Sequence, residues 1–208
     1  MMKKVIITIG REYGSGGRYI GEMVSNKLNI PFYDKELIVK AHEKNNCNYS
    51  KLEEYDEVKR NSFFKQLDLL NINNYKDNVM YSSDVYQTFI SNTIREIADL
   101  GSCIILGRNS NNILKDRDNV INIFIYSNDL DFKVNRKMKL ENMNYKDTLN
   151  RLKYVDKQRK KYYEASNPNH TWGSIKEYDY CIDSSILGVD KTADLIVDIY
   201  NKYMESDS

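Results

Sequence analysis

The residues best suited to chemistry in this 208-residue chain lie where glycine and arginine come together. Five of its nine glycines fall in the stretch VIITIGREYGSGGRYIG, and four of them, Gly10, Gly14, Gly16 and Gly17, lie within eight residues beside Arg11 and Arg18. An apolar β-branched run leads in and an amphipathic stretch leads out. A glycine-rich turn between a buried strand and a helix presents consecutive backbone N–H groups to an anion, and the helix terminus adds its partial positive charge. A tight turn using glycine only for positive φ would need one or two glycines. GSGG therefore points to a phosphate cradle built from Gly14, Ser15, Gly16, Gly17, Arg18 and Tyr19, with Arg11 as a further phosphate ligand. A dinucleotide fingerprint fits less well, because Gly14, Gly16 and Gly17 miss the G-x-G-x-x-G spacing; Asp34 stands near the place of its acidic residue and serves either reading.

A second constellation is Gly107-Arg108, directly after the apolar run Cys103–Leu106. The carboxyl end of a strand in an open parallel sheet is where ligands bind, so Arg108 is expected to face the site. The third is LNRLKYVDKQRKKYY, residues 149–163, in which Arg151, Asp156, Arg159 and Lys160 fall at spacings that put several on one helical face. A solvated charged face is the alternative there. Asp34 is a candidate helix N-cap for the segment from Lys35, and Gln87 lies in the helix expected before the Gly-Arg strand. His42 and His170 have no catalytic partner nearby in sequence and read as surface residues.

Elements of alternating type must position these groups. Buried strands are expected at Val5–Ile9, Ile30–Tyr33, Cys103–Leu106, Val120–Tyr126 and Tyr178–Ile182. Helices are expected at Tyr19–Leu28, Lys35–Lys44, Ser82–Leu100, Asn128–Asn142, Tyr145–Ser166 and Asp190–Tyr203, with helical propensity over Ser50–Leu70 and a loop at Asn71–Asn78. Ser82 or Ser83 is the expected N-cap of its helix, and Gly101 its C′ residue. Strands apolar throughout, alternating with helices, predict an α/β fold with a parallel sheet covered on both faces.

Composition narrows the classes further. The chain is 41% hydrophobic and 29% charged, enough for one full core, and it carries a formal net charge of +1. That balance gives no global field that would mark a nucleic-acid or membrane-surface binder. No apolar run reaches the roughly 20 residues of a membrane span, and MMKKVIITIG is too short in its apolar part for a signal peptide. A cytoplasmic location is expected. Cys47, Cys103 and Cys181 lack metal-ligand spacing and read as buried thiols. With two prolines and no repeat, a single domain over 1–208 is expected.

The run ITIGREYGSGGRYIGEMVSNKLNIPFYDKELI resembles the start of the cytidylate kinase-like family, a branch of the P-loop nucleoside monophosphate kinases. CIILGRNSNNIL at 103–114 and YDYCIDSSILGVDKTADLIV at 178–197 are similar to that family's later blocks, in order along the chain. The resemblance implies a P-loop NTPase-type five-stranded sheet, an acceptor-binding insertion at about 35–80 and a helical lid at about 144–170. It also implies ATP as donor, Mg²⁺ as companion cation and CMP or dCMP as acceptor. By the same resemblance Arg108 holds the acceptor phosphate, Asp156 and Arg159 form a base-and-phosphate-binding pair, and Asp34 lies on the acceptor side. Arg18 and Arg159 would be the catalytic arginines over the γ-phosphoryl.

The chain departs from the standard phosphate loop. It has no lysine there, and either Arg18 or Gly17 stands at the lysine position, depending on register. No Ser or Thr follows to hold Mg²⁺, which leaves Ser15 as the candidate ligand. Leu106 and Asn109 replace the acids that flank Gly-Arg in true CMP kinases. Two rivals to an ATP:CMP phosphotransferase therefore stand: a nucleotide-binding module without catalysis, and a P-loop kinase for another small phosphate acceptor.

Overall fold

The computed structural model describes residues 4–34 and 84–206. Five strands form one sheet: β1 (Ile6–Arg11), β2 (Phe32–Tyr33), β3 (Cys103–Leu106), β4 (Val120–Tyr126) and β5 (Tyr180–Asp183). All neighbours pair in parallel, in the order β2-β3-β1-β4-β5. The helices are α1 (Gly17–Leu28), α2 (Asp84–Leu100), the short α3 (Ser110–Ile113), α4 (Leu130–Glu141), α5 (Tyr145–Ser166) and α6 (Ser184–Glu205). This is the P-loop α/β architecture expected from the sequence.

β1 is central because both its faces are apolar. Ile7 pairs with Ile104 on one side and Ile121 on the other. Ile7 and Ile9 join Ile20 and Val24 of α1 and Ala193 and Ile196 of α6 in one buried layer, while Ile6 joins Ile90, Ile94 and Ile97 of α2 in the other. A fully buried aliphatic side chain of this size stabilises by about 1.5–3 kcal/mol. The one polar member of β1's interior, Thr8, is satisfied by Asn122 at 2.7 Å.

The chain leaves β1 towards β2 and β3 on one side, and β4 and β5 lie on the other. The crevice at the carboxyl end of β1 is thus the topological switch point, where an open α/β sheet binds its ligands. The loop after β1, the turn after β3 and the α4–α5 pair after β4 all open onto that end.

Differences from the sequence reading are local. The loop straightens into helix two residues earlier than expected, at Gly17, since glycine costs little in a first turn. α2 ends at Leu100 as expected, but Gly101 is not among the left-handed residues, so its role as C′ cap is corrected. α6 is broken at Gly188 (φ 76°, ψ 170°), which separates a turn at 184–187 from the main helix. The expected elements at 35–44 and 50–78, the Ser82 or Ser83 cap, Cys47 and His42 lie outside the described residues. Cys103 is buried and Cys181 partly buried, both as free thiols.

Candidate functional site

The glycine-rich loop takes its shape from two left-handed residues, Gly14 (φ 88°) and Gly16 (φ 86°). Gly16 caps α1 without a side-chain hydrogen bond, so the helix start is a backbone surface. Ser15 is fully buried: its hydroxyl donates to the Glu12 carbonyl at 2.9 Å and accepts from the Gly17 N–H at 3.4 Å. The Ser15 carbonyl in turn accepts from the buried Ser184 hydroxyl at 2.6 Å, which clamps the loop to the end of β5. The hydroxyl expected as a Mg²⁺ ligand is therefore turned inward and already engaged. Among the described residues no group of three or more His, Cys, Asp or Glu is assembled to hold a metal.

Three of the five arginines singled out in the sequence converge. Arg11, at the end of β1, runs beneath the turn after β3; a Cβ on Gly107 would lie 1.9 Å from its Nη1. Arg159 of α5 reaches down to donate to the Arg11 carbonyl at 3.0 Å. Arg108 lies within electrostatic reach of both. Loss of hydration, then the charges of Arg159 and Arg108, weaken the hold of Arg11 on its proton. Arg18 is different. Its side chain is 63% exposed, with Nη2 on Asp34 at 2.8 Å and Nε on Glu22 at 3.1 Å. The structure thus places Arg18 at the rim, ion-paired with the buried carboxylate of Asp34. Tyr19, also expected in the cradle, is half exposed beside the Arg136 guanidinium of α4.

Arg108 is aimed by backbone strain. Gly107, Arg108 and Asn109 are successive left-handed residues (φ 71°, 58° and 61°), and two of them carry side chains. Such residues cost of order 1–3 kcal/mol each and persist only where the surroundings over-determine them. Here they do. Buried Asn109 accepts from Asn167 at 2.8 Å, and Asn111 donates to the Tyr163 hydroxyl at 3.0 Å and to the Glu177 carbonyl at 3.3 Å. The Arg108 guanidinium lies over the Tyr162 ring, 5.6 Å from its centre, and the Tyr162 hydroxyl donates to Gln87 at 3.2 Å. His170, read as a surface residue, is half exposed with Nδ1 2.6 Å from the Glu177 carboxylate, which also accepts from Tyr163.

Sequence reasoning missed the two residues that tie the loop to the lid-like helices. Glu12 accepts from Lys133 of α4 at 2.8 Å and from the Ser127 N–H. The Tyr13 N–H donates to Asp156 of α5 at 2.7 Å, while its ring meets the Lys137 ammonium at 4.1 Å and the guanidinium groups of Arg151 and Arg159 at 5.9 and 5.7 Å. Burial and Glu141 push the Tyr13 phenol up to about 12, so it keeps its proton and donates to Glu141. Burial likewise lifts Asp156 to about 6, against the Tyr13 N–H and Arg159, whose Nη1 is 3.5 Å away. The available signal was that Glu12 and Tyr13 interrupt a run otherwise made of glycine, serine and arginine.

The family model described as "Cytidylate kinase-like family" matches residues 6–186. The chain belongs to the cytidylate kinase-like family. In solved structures, an uncharacterised protein from Eubacterium ventriosum is 32% identical with a TM-score of 0.69, the alignment covering 98% of this chain and 99% of that one. A shikimate kinase from Bacteroides thetaiotaomicron shares the fold at 13% identity and TM-score 0.51, covering 95% and 98%. TT1252 from Thermus thermophilus does so at 12% identity and TM-score 0.51, covering 94% and 97%. No curated protein matches the chain. Within the described residues, no helix of this cytidylate kinase-like chain is long and apolar enough to cross a membrane.

Proposed function

We propose that this protein transfers the γ-phosphoryl group of ATP to a nucleoside monophosphate, with CMP or dCMP as the first acceptors to test. The observation that carries the reading is the convergence of Arg11, Arg108 and Arg159 beside a glycine-rich loop at the switch point of the sheet. Three cations gathered with few neutralising acids favour a polyanionic ligand, because Asp156 and Asp34 offset only part of their mutual repulsion and lost hydration.

In this reading the backbone N–H groups of Gly14, Gly16, Gly17 and Arg18 hold the donor phosphates, and Tyr19 and Arg136 flank them on the solvent side. Arg108 fixes the acceptor phosphate in line, with Asp34 and Asp156 on the acceptor side. Arg159 descends from α5, the lid of a single domain over 1–208, to cover charge that develops on the equatorial oxygens. The acceptor segment is proposed at about 35–80. Phosphoryl transfer needs little covalent help from a protein, so positioning and charge neutralisation account for most of the rate. Mg²⁺, when it accompanies ATP, supplies further neutralisation of the donor phosphates. A cytoplasmic location and no nucleic-acid partner are part of the same proposal.

A binding module without catalysis is the second reading, favoured by the glycine at position 17 and the inward Ser15 hydroxyl. One assay separates them: ADP formation by the purified protein with Mg-ATP against CMP, dCMP, UMP, AMP, GMP and no acceptor. Turnover that depends on CMP or dCMP is the expected outcome. ATP binding with silence across the panel would refute the nucleoside monophosphate kinase reading.

A further inference from the structure

We propose that Arg11 takes the place of the missing phosphate-loop lysine and contacts the phosphoryl group in transfer. The inference rests on the phosphotransfer reading above. In G-x-x-x-x-G-K, glycine opens a run of seven positions and lysine closes it. With Gly17 at the closing position, residues 11–17 read R-E-Y-G-S-G-G. The opening glycine and the closing cation have exchanged places.

The exchange is one of volume as well as of letters. A Cβ on Gly17 would lie 2.6 Å from Arg11 Cβ and 3.1 Å from Arg11 Cγ. A side chain at 17 and the Arg11 side chain exclude each other, so Arg11 begins where the lysine would have begun. From there it extends to the turn after β3, where Nη1 fills the space over Gly107. The Arg11 side chain therefore runs from the glycine-rich loop at Gly17 to Gly107, the residue next to Arg108. Two glycines are required by this one side chain, Gly17 at its root and Gly107 at its tip.

The charges agree. Arg159 and Arg108 are its strongest charged neighbours, and the acid whose charge reaches it, Asp34, is already paired with Arg18. Loss of hydration acts in the same sense as those cations. Asp34 offsets these effects only in part, and an arriving anion would add to that compensation. As an acceptor oxygen bonds to the γ-phosphorus and the bond to the ADP oxygen breaks, the electron pair leaves with ADP, and Arg11 and Arg159 face the oxygens that carry the charge. Arg18, expected in this role, is held at the rim by Glu22 and Asp34.

The test compares wild type with R11G, R11M, G17K and R11G/G17K, the last restoring G-x-x-x-x-G-K. Affinity for Mg-ATP and for inorganic tripolyphosphate is measured by calorimetry, turnover with CMP by ADP release, and unfolding without ligand by heating. R11G and R11M should bind both anions at least about tenfold more weakly and turn over about 100-fold more slowly. Their unfolding temperatures should be unchanged or higher, which a merely structural arginine would not allow. G17K alone should be destabilised by the clash, and R11G/G17K should recover about tenfold over R11G. R11M keeps the side-chain stem and carries the test if R11G does not fold. Unaltered anion affinity in R11G and R11M, or no recovery in R11G/G17K, would overturn the assignment. Wild type that binds both anions in an Arg11-dependent way, yet releases no acceptor-dependent ADP, would refute the kinase reading and uphold the phosphate contact.

Discussion

Asp156 links the phosphate loop to α5, and replacing it with Asn should stabilise the protein at neutral and alkaline pH. Its carboxylate accepts the Tyr13 N–H at 2.7 Å and lies 3.5 Å from Arg159, but burial outweighs both and lifts it from 3.8 to about 6. Between those values the folded chain holds a proton that the unfolded chain has released, so stability falls as pH rises through this window and levels off above it. Roughly two pKa units at ~1.36 kcal/mol each give a full cost of about 3 kcal/mol above pH 6. Asn keeps the oxygen that accepts from Tyr13 and removes the charge. The opposing pull of Arg159 and of the Tyr13 N–H is already contained in that shift. The expected gain at pH 8 is up to about 3 kcal/mol, or up to roughly 6–12 °C in unfolding temperature for a chain of this size. At pH 4 the gain should shrink to nothing or reverse. Urea unfolding of wild type and Asp156→Asn at both pH values measures this, and the difference between the two proteins isolates Asp156 from every other titrating group. Equal differences at pH 4 and pH 8, or a less stable variant at pH 8, would show that burial does not dominate at this carboxylate.

Gly107→Ala should destabilise by about 2 kcal/mol or more, from a left-handed φ and a methyl group placed on Arg11 Nη1; Gly101→Ala, in open space with ordinary backbone, is the control that should cost nothing in denaturant unfolding. Asn111→Ala should cost about 1–3 kcal/mol, because the Tyr163 hydroxyl and Glu177 carbonyl lose a buried donor. Hydrogen exchange should then quicken at both the turn after β3 and the end of α5. Arg108→Ala should raise the KM for CMP about 10- to 100-fold while ATP affinity changes less than about twofold, the loss of one charge-assisted phosphate contact; a change in neither would refute the acceptor assignment.

Much of this architecture was determined locally and could be read from the sequence. Cys103–Leu106 and Val120–Tyr126 are strands because β-branched and aliphatic residues follow one another without a polar break, and Tyr145–Ser166 is a helix with Asn144 as its cap. The glycines that need positive φ, Gly14 and Gly16, were visible as GSG because no other residue adopts that backbone cheaply. What tertiary structure alone decided was the direction of side chains and the company of charges. Arg11 and Arg18 are alike in a sequence, each next to a glycine, yet packing between Gly17 and Gly107 turns one inward, while Asp34 and Glu22 hold the other at the rim. Ser15 is turned in by a carbonyl three residues before it, and its own carbonyl is braced by the Ser184 hydroxyl at the start of α6. Tyr13 meets Lys137, Arg151 and Arg159 only because α4 and α5 fold back over the loop. Backbone preference is set by a residue and its neighbours, and so it is written in order along the chain; the field at a charged group is a sum over distance in space, to which residues 140 positions apart contribute as much as adjacent ones.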